Sequence, residues 1–280
     1  MAELVVWIDG ALVPAAQARV SAFDRGLLLG DGVFETIRAV GAVPLAARRH
    51  LARLRRSAEG VGIDLPYDEG ELRAAMAAVL ERMDAPEARV RITVTAGVGA
   101  LGPVRDGAAP TVLVAAGVLE PPPATTAVCT VPWPSNERSP LAGVKSTSRG
   151  EGVVALAHAR ARGCSEALHA DTAGRLCEGT ASNMFLVLDG ALVTPSLATG
   201  CLPGVTRELV LEWGTAAGLP LREATIPLDD FRTAEHAAVT SATRGIVPVA
   251  ALDGRELRPG PLTLRMQQVF ADRVAEDLDP

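Results

Sequence analysis

The stretch EPPPATT, residues 120–126, divides this chain of 280 residues into two parts. Three consecutive prolines cannot join the ladder of a sheet or the interior of a helix, because proline has no N–H to donate and its ring obstructs the preceding turn. We therefore predict an interdomain linker here, with an N-terminal domain over residues 1–119 and a C-terminal domain over residues 127–280.

Strand and helix patterns follow one another on both sides of the linker. On its N-terminal side, DEGELRAAMAAVLERM (68–83) has the acidic first turn of a helix, and ARVRITVTAG (88–97) alternates as a half-buried strand does. On its C-terminal side, EGVVALAHARARG (151–163) predicts a helix, and a further helix is expected to start near Arg207 with Thr206 as its N-cap. This mixture predicts an α/β (α+β) fold in each domain.

Composition excludes several functional classes. The net charge is −6, so no basic surface for nucleic acid is expected, and no apolar run approaches the roughly 20 residues of a membrane span. The four cysteines form no C-x-x-C pair and lie near no histidine cluster, which predicts reduced thiols in a cytoplasmic protein without a metal site. The N-terminal stretch carries no basic leader, and its Asp9-Gly10 pair predicts a hairpin.

Lys145 is the single lysine of the chain, which has 26 arginines. Arginine replaces lysine at little cost where only the charge matters, but the guanidinium group keeps its proton in proteins, whereas an amine can lose it and act as a nucleophile. A retained lysine therefore favours chemistry on its amine, such as a Schiff base with pyridoxal phosphate or with a carbonyl substrate. The alternative is chance retention of a surface lysine.

Pyridoxal chemistry needs an acid for the ring nitrogen and an anion site for the phosphate. Glu178, in CEGTASN (177–183), is a candidate for the acid, although a glutamate in a turn is commonly solvated. The start of the helix after Pro203-Gly204 is a candidate for the phosphate, because helix N-termini present N–H groups to anions. The turn TSATRG (240–245) could close over the same group. Taken singly, each of these stretches is equally compatible with an ordinary loop or cap.

The chain resembles the class IV aminotransferases, the fold-type IV pyridoxal-phosphate enzymes. This family includes branched-chain and D-amino-acid transaminases and 4-amino-4-deoxychorismate lyases. The segments that carry the resemblance run in family order along nearly the full length: FDRGLLLGDGVFETIR (23–38), HLARLRRSA (50–58), VRITVTAG (90–97), LAGVKSTSR (141–149), EGTASNMFLV (178–187), TPSLATGCLPGVTR (194–207) and VTSATRGIVPV (239–249).

The resemblance implies an N-terminal α/β domain, a C-terminal pseudo-barrel domain, a cofactor between them and a homodimer. It places Lys145 at the Schiff-base lysine, which also shuttles the substrate proton, and Glu178 at the carboxylate that pairs with the pyridine nitrogen. Phe34 falls on a position near the cofactor. The positions that bind the phosphate in the family fall on Arg53, Val205, Thr206, Ser241 and Ala242.

Three positions depart from the family pattern. Many members have a hydroxyl residue in place of Ala242, so its phosphate contact is missing or is taken over by Thr243. Many have Tyr where this chain has Arg149. The chain also lacks the Arg-Gly that some D-amino-acid transaminases carry after the strand ending here in TAGVGALG.

Two enzyme activities and one non-enzymatic function are compatible with the sequence. The string around Lys145, with Arg149 four residues later, looks like some lyases, so the favoured expectation is 4-amino-4-deoxychorismate lyase, which releases pyruvate and 4-aminobenzoate for folate biosynthesis. Arg149 would then bind a substrate carboxylate, unless it faces solvent at a helix start. The alternative is a D-amino-acid or branched-chain transaminase. A binding protein that has lost its chemistry is less consistent with retention of the only lysine.

Overall fold

The structure, a computed structural model, describes residues 5–280 and forms two compact units. The first unit comprises the described chain up to Glu120 together with Val144–Arg149 and Asp277–Pro280, and the second comprises Pro121–Gly143 and Gly150–Glu276. The division between Glu120 and Pro121 falls in the predicted linker, but the two short segments group with the first unit rather than with the chain around them. The exact domain boundaries stay a prediction.

In its described residues, the first unit contains one antiparallel sheet and three helices. The sheet has the strand order β2-β1-β6-β5-β3-β4. Its elements are β1 (Val5–Ile8), β2 (Ala11–Pro14), α1 (Arg25–Leu29), β3 (Gly32–Val40), β4 (Val43–Pro44), α2 (Ala47–Gly60), α3 (Glu69–Leu80), β5 (Glu87–Thr95) and β6 (Thr111–Val118).

Alternation along β3 assigns the two faces of this sheet. β3 pairs with β5 along its whole length, from Gly32 opposite Thr95 to Val40 opposite Glu87. Val33 and Ile37 are fully buried and belong to the core that also contains Leu54 of α2 and Met76 of α3. Since successive side chains of a strand point to opposite faces, Phe34 lies on the other face of the sheet.

A buried ion pair lies on the core face of β3. The Glu35 side chain has no exposed surface, and its carboxylate accepts hydrogen bonds from Arg53 Nε (2.7 Å) and Nη2 (2.8 Å). His50 Nδ1 is 2.8 Å from the second carboxylate oxygen. Burial alone would raise the pKa of Glu35, but the charge of Arg53 and the contacts with Arg53 and His50 outweigh it and hold that pKa well below its usual range.

The second unit is a nine-stranded mixed sheet with four helices. Eight strands follow the order β12-β11-β10-β13-β14-β7-β8-β9, and β15 pairs with β14. Its elements are β7 (Thr126–Thr130), α4 (Gly150–Arg160), β8 (Glu166–Ala170), β9 (Leu176–Gly179), β10 (Asn183–Leu188), β11 (Ala191–Pro195), α5 (Val205–Ala216), β12 (Leu221–Ala224), α6 (Leu228–Thr233), β13 (Ala237–Ser241), β14 (Gly245–Leu252), β15 (Arg255–Glu256) and α7 (Pro261–Glu276).

The predicted mixed α/β fold is therefore confirmed, and most predicted elements lie within a few residues of their expected places. The hairpin at Asp9-Gly10 forms between β1 and β2. All four cysteines are buried and have free thiols. Within residues 5–280, no helix combines the length and the apolar character that crossing a membrane requires.

The Glu35–Arg53 pair leads to a prediction about acid stability. Its native carboxyl group stays ionised at a lower pH than an ordinary carboxyl of the unfolded chain, whose pKa is about 4.3. The stabilisation by the pair is thus complete above that unfolded value and is lost as pH falls below it. We expect Glu35→Gln to reduce the free energy of unfolding at pH 7 by about 3–5 kcal/mol, because it leaves the Arg53 charge buried without its partner.

Unfolding by guanidinium chloride between pH 7 and pH 3 measures both the loss of stability at pH 7 and the dependence of stability on pH. The variant should show a flatter dependence of unfolding free energy on pH than the wild type. Glu69→Gln is the control, since Glu69 pairs with Arg73 on the surface, where both side chains are more than a third exposed. Equal pH dependence in the wild type and in Glu35→Gln would contradict the role assigned to the pair.

Candidate functional site

The backbone of Lys145 is fixed to the edge of β3. The Phe34 N–H donates to the Lys145 carbonyl oxygen (2.9 Å), and the Thr147 N–H donates to the Gly32 carbonyl oxygen (2.9 Å). The Lys145 N–H donates to the Ser57 hydroxyl of α2 (3.3 Å). These bonds explain why Val144–Arg149 groups with the first unit, and they hold the only lysine of the chain in one backbone position.

Two cations lie over the ring of Phe34. Lys145 Nζ is 4.7 Å from the ring centroid, and the guanidinium carbon of Arg91 on β5 is 3.9 Å from it. The structure therefore brings Phe34 and Lys145 together, as the resemblance implies. Arg91 was not predicted, although its position in the alternating strand 88–97 places it on the same face of the sheet as Phe34.

The charge of Arg149 acts on the same group of residues. The pKa of Arg91 is lowered, mainly because burial removes part of its hydration and secondly because of the positive charge of Arg149. Arg149 is exposed and directly precedes α4. Arg91 and Lys145 thus form a cationic cluster on the Phe34 ring, and the charge of Arg149 acts on Arg91; this arrangement suits an anionic ligand.

Arg53, on α2, lies against the core face of β3, opposite the face that carries Phe34. Its side chain is buried, and two of its guanidinium nitrogens bind Glu35. Burial is the main cause of a lowered pKa at His50; Glu35 opposes this effect, and the charges of Arg53 and Lys145 add to it. The predicted phosphate role of Arg53 stays a prediction; in this geometry Glu35 fixes the direction of the guanidinium plane.

Glu178 lies on β9, in the second unit. Its Oε2 accepts hydrogen bonds from the Leu202 N–H (3.0 Å) and from Asn183 Nδ2 (3.2 Å). Asn183 also donates to the Leu202 carbonyl oxygen (2.9 Å). The carboxylate is thus held by a strand residue and by the segment that precedes α5, rather than extending from a solvated turn as its sequence context allowed.

The start of α5 differs from the expected one. The helix begins at Val205, its N-cap is Gly204, and Thr206 is a buried residue of the first turn rather than the N-cap. A Cβ on Gly204 would lie 1.9 Å from Asn183 Oδ1, so only glycine fits at this N-cap. The first N–H groups of a helix have no acceptor within the helix, and the N-cap residue here offers them no side-chain hydrogen bond.

The turn between β13 and β14 carries the other predicted phosphate residues. Ser241 ends β13, and Ala242 and Thr243 follow it in the turn. Arg244 Nε donates to the Ser241 hydroxyl (3.2 Å), and its Nη2 donates to Glu166 Oε2 (2.6 Å). Neither Arg244 nor Glu166 was predicted, although Arg244 lies inside the quoted motif TSATRG.

The donor sets of the two units fit pyridoxal phosphate. The first unit supplies one primary amine on a fixed backbone, beside an aromatic ring. The second supplies a hydrogen-bonded carboxylate and the N-terminus of α5, whose N-cap glycine offers no side-chain acceptor; the N–H groups of a helix start suit a phosphate. A carboxylate near a ring nitrogen and an amine near a carbonyl carbon are the groups that this cofactor requires.

Comparison with known proteins gives consistent results. Residues 32–252 match the family described as amino-transferase class IV. A putative branched-chain-amino-acid aminotransferase of Methanocaldococcus jannaschii is 33% identical over 275 residues, which cover 95% of each chain. A D-alanine aminotransferase of Listeria monocytogenes is 29% identical over 290 residues, covering 97% of this chain and 96% of the relative.

A solved structure agrees as well. A branched-chain amino acid aminotransferase from T.th., complexed with N-(5'-phosphopyridoxyl)-L-glutamate, has a TM-score of 0.90 and 26% identity, and the match covers 97% of this chain and 94% of that one. The predicted family, fold type and cofactor are thereby confirmed. The chain belongs to the class IV aminotransferases, the fold-type IV enzymes that work with pyridoxal phosphate.

Proposed function

We propose that this enzyme is an amino-acid transaminase, which exchanges an amino group between an amino acid and a 2-oxo acid. The observation that carries the proposal is the fixed backbone of the only lysine, whose amine lies over Phe34 in a class IV aminotransferase. The sequence alone favoured the lyase. The three relatives described above are named as branched-chain or D-alanine aminotransferases, which supports the transaminase alternative instead.

The proposed roles follow the chemistry of each side chain. When bound, pyridoxal phosphate supplies an electron sink for the electron pair left after the substrate Cα loses its proton. Lys145 Nζ would accept that proton and return it. Glu178 would hold a proton on the ring nitrogen. The phosphate would be bound by a set of residues that present N–H groups, hydroxyls or a guanidinium: Arg53, Val205, Thr206, Ser241 and, in place of the hydroxyl that Ala242 lacks, Thr243.

We propose further that one substrate carries a second carboxylate. Arg91 lies over the Phe34 ring, and the positive charge of Arg149 acts on it. Repulsion between like charges is offset by an anion bound beside them, so this site favours a substrate that carries a further negative charge. A dicarboxylic amino donor, such as glutamate, meets this requirement, and the relative from T.th. was solved with a glutamate derivative of the cofactor.

We also propose that the enzyme is a homodimer. Arg25 is buried and donates hydrogen bonds to the carbonyl oxygens of Gly102, Pro103 and Val104, which holds the 98–104 loop beside α1. Apolar side chains of both segments are exposed, and a patch of this kind on an isolated chain indicates an interface. Its members are Phe23, Leu27, Leu28, Leu29, Val98, Leu101 and Val104.

The first experiment tests the role of Lys145. Wild-type protein incubated with pyridoxal phosphate should show a visible band that borohydride removes, with the pyridoxyl label on Lys145. Lys145→Arg keeps the charge but removes the side-chain amine, so it should take up no label at position 145 and should lose roughly 10²–10⁴-fold or more in kcat. An unlabelled wild type would remove the basis of the proposed function.

The same preparation separates transaminase from lyase. Turnover that requires a 2-oxo acid acceptor is expected. Supplying chorismate, glutamine and the upstream synthase should give no 4-aminobenzoate. Release of pyruvate and 4-aminobenzoate without an acceptor would establish the lyase and overturn the transaminase.

The second experiment tests whether Arg149 binds the second carboxylate of a substrate. Arg149→Gln should lower kcat/KM for 2-oxoglutarate by about 10- to 100-fold, the effect of one hydrogen bond to a charged group. It should leave kcat/KM for 2-oxohexanoate, which lacks the second carboxylate, nearly unchanged. Arg160→Gln, at the exposed end of α4, is the matched control. Equal losses for both acceptors would contradict the assignment.

The third experiment tests the dimer. Light scattering should give twice the chain mass of 29.0 kDa. Leu101→Asp, at a side chain that is 74% exposed, should shift the protein toward the monomer, because a charge in an apolar interface loses its hydration. Leu264→Asp on α7 is the control, since Leu264 is also exposed and lies outside the patch. A monomeric wild type would disprove the dimer.

A further inference from the structure

Glu166 is a second buried carboxylate, and no role has been assigned to it. It begins β8, and its side chain is 2% exposed. Its carboxylate accepts four hydrogen bonds from residues distant in sequence: from the Thr180 hydroxyl, the Ala181 N–H (3.2 Å), the Ser182 hydroxyl (3.0 Å) and Arg244 Nη2 (2.6 Å). A buried charge with this many donors organises the groups that surround it.

The first group that Glu166 organises is the turn between β9 and β10. This turn is closed by the Gly179 N–H donating to the Ser182 carbonyl oxygen (2.8 Å). A Cβ on Gly179 would lie 2.5 Å from the Ser182 hydroxyl oxygen and 3.1 Å from the Glu166 carboxyl carbon, so the turn packs directly on the carboxylate. Glu178 directly precedes this turn and Asn183 directly follows it, and these two residues are hydrogen-bonded to each other.

The second group is the turn between β13 and β14. Arg244 donates from Nη2 to Glu166 and from Nε to the Ser241 hydroxyl (3.2 Å). Its own N–H donates to the Ser241 carbonyl oxygen (3.3 Å), which closes the turn. One guanidinium group therefore connects the carboxylate to the end of β13, where Ser241, one of the proposed phosphate residues, lies.

We propose that Glu166 and Arg244 are positioning residues for cofactor binding. Through its four hydrogen bonds, Glu166 holds the β9–β10 turn, and with it Glu178 and Asn183, in a fixed relation to Ser241. Arg244 transmits the same constraint to the turn that carries Ser241 and Ala242. The proposal rests on the proposed function in one respect: it takes Glu178 as the partner of the ring nitrogen and Ser241 as a partner of the phosphate.

Cofactor affinity distinguishes positioning from simple stabilisation. Dissociation constants for pyridoxal phosphate and for pyridoxal, which lacks the phosphate, would be measured on the apoenzyme by visible absorption. Arg244→Gln should raise the dissociation constant for pyridoxal phosphate by about 10- to 100-fold, as expected for loss of an ordered charge-assisted contact. It should raise the dissociation constant for pyridoxal by much less. Glu166→Gln should raise the dissociation constants for both ligands, because it releases both turns. Since a carboxylate does not itself bind phosphate, this loss would come from the positions of the turns.

Two further variants serve as controls. Asp171→Asn removes another buried carboxylate with an arginine partner, Arg175, in the same unit, and should lower stability without changing either dissociation constant. Arg244→Lys keeps the charge without the Nε donor and should recover part of the pyridoxal phosphate affinity. If Glu166→Gln does not fold, the Arg244 pair of variants carries the test.

Each outcome has a definite meaning. The positioning role would be overturned if Arg244→Gln raised both dissociation constants equally. It would also be overturned if neither Arg244→Gln nor Glu166→Gln changed them. Either result would leave the proposed function intact. A wild type that binds no pyridoxal phosphate would overturn both.

Discussion

The carboxylate of Glu35 has no access to water, and the first unit is arranged around that constraint. A buried charge is tolerated only where opposite charge and hydrogen-bond donors surround it. Arg53 and His50 meet this need from α2, which fixes the helix against the core face of β3. Because strand side chains alternate, Phe34 must then lie on the other face. A shift of one residue would expose Glu35 and bury Phe34. The ion pair thus also determines the face on which the Lys145 amine and the Arg91 guanidinium meet the aromatic ring.

The second unit applies the same physical rule to turns instead of a helix. Glu166 is as deeply buried as Glu35, but most of its donors are hydroxyl and backbone groups of a turn. Such groups have little preferred arrangement of their own, so a charge that binds all of them selects one. Replacing such a network with apolar residues need not reduce stability. In our proposal, the network therefore matters for the geometry that it imposes on Glu178 and Ser241 more than for the energy of the ion pair.

Sequence reasoning succeeded where a single local pattern determines the result. The alternation of 88–97 and the acidic first turn of 68–83 are properties of consecutive residues, and β5 and α3 form there. It failed where the decisive partner is remote. Thr206 has the chemistry of an N-cap, but Gly204 is the N-cap, and the remote contact with Asn183 on β10 leaves room only for glycine there. Glu166 and Arg244 are 78 residues apart, and neither has a neighbour in sequence that indicates the pair. Likewise, a string of residues around Lys145 favoured the lyase, whereas similarity over the whole chain supports a transaminase.

The proposed chemistry of Lys145 accounts for a single lysine among 26 arginines. Arg91 shows that a guanidinium group can occupy a place over the Phe34 ring, so neither space nor charge excludes arginine from such a position. Had Lys145 served only to attract an anion, an arginine could have replaced it, as elsewhere in the chain. The property that arginine lacks is the ability to give up a proton and form a bond to carbon. Two tasks, binding an anion and transferring a proton, thus fall to different cationic side chains. Under the proposed function, Arg91 holds a permanent charge suited to binding a carboxylate, and Lys145 supplies the nitrogen whose proton moves.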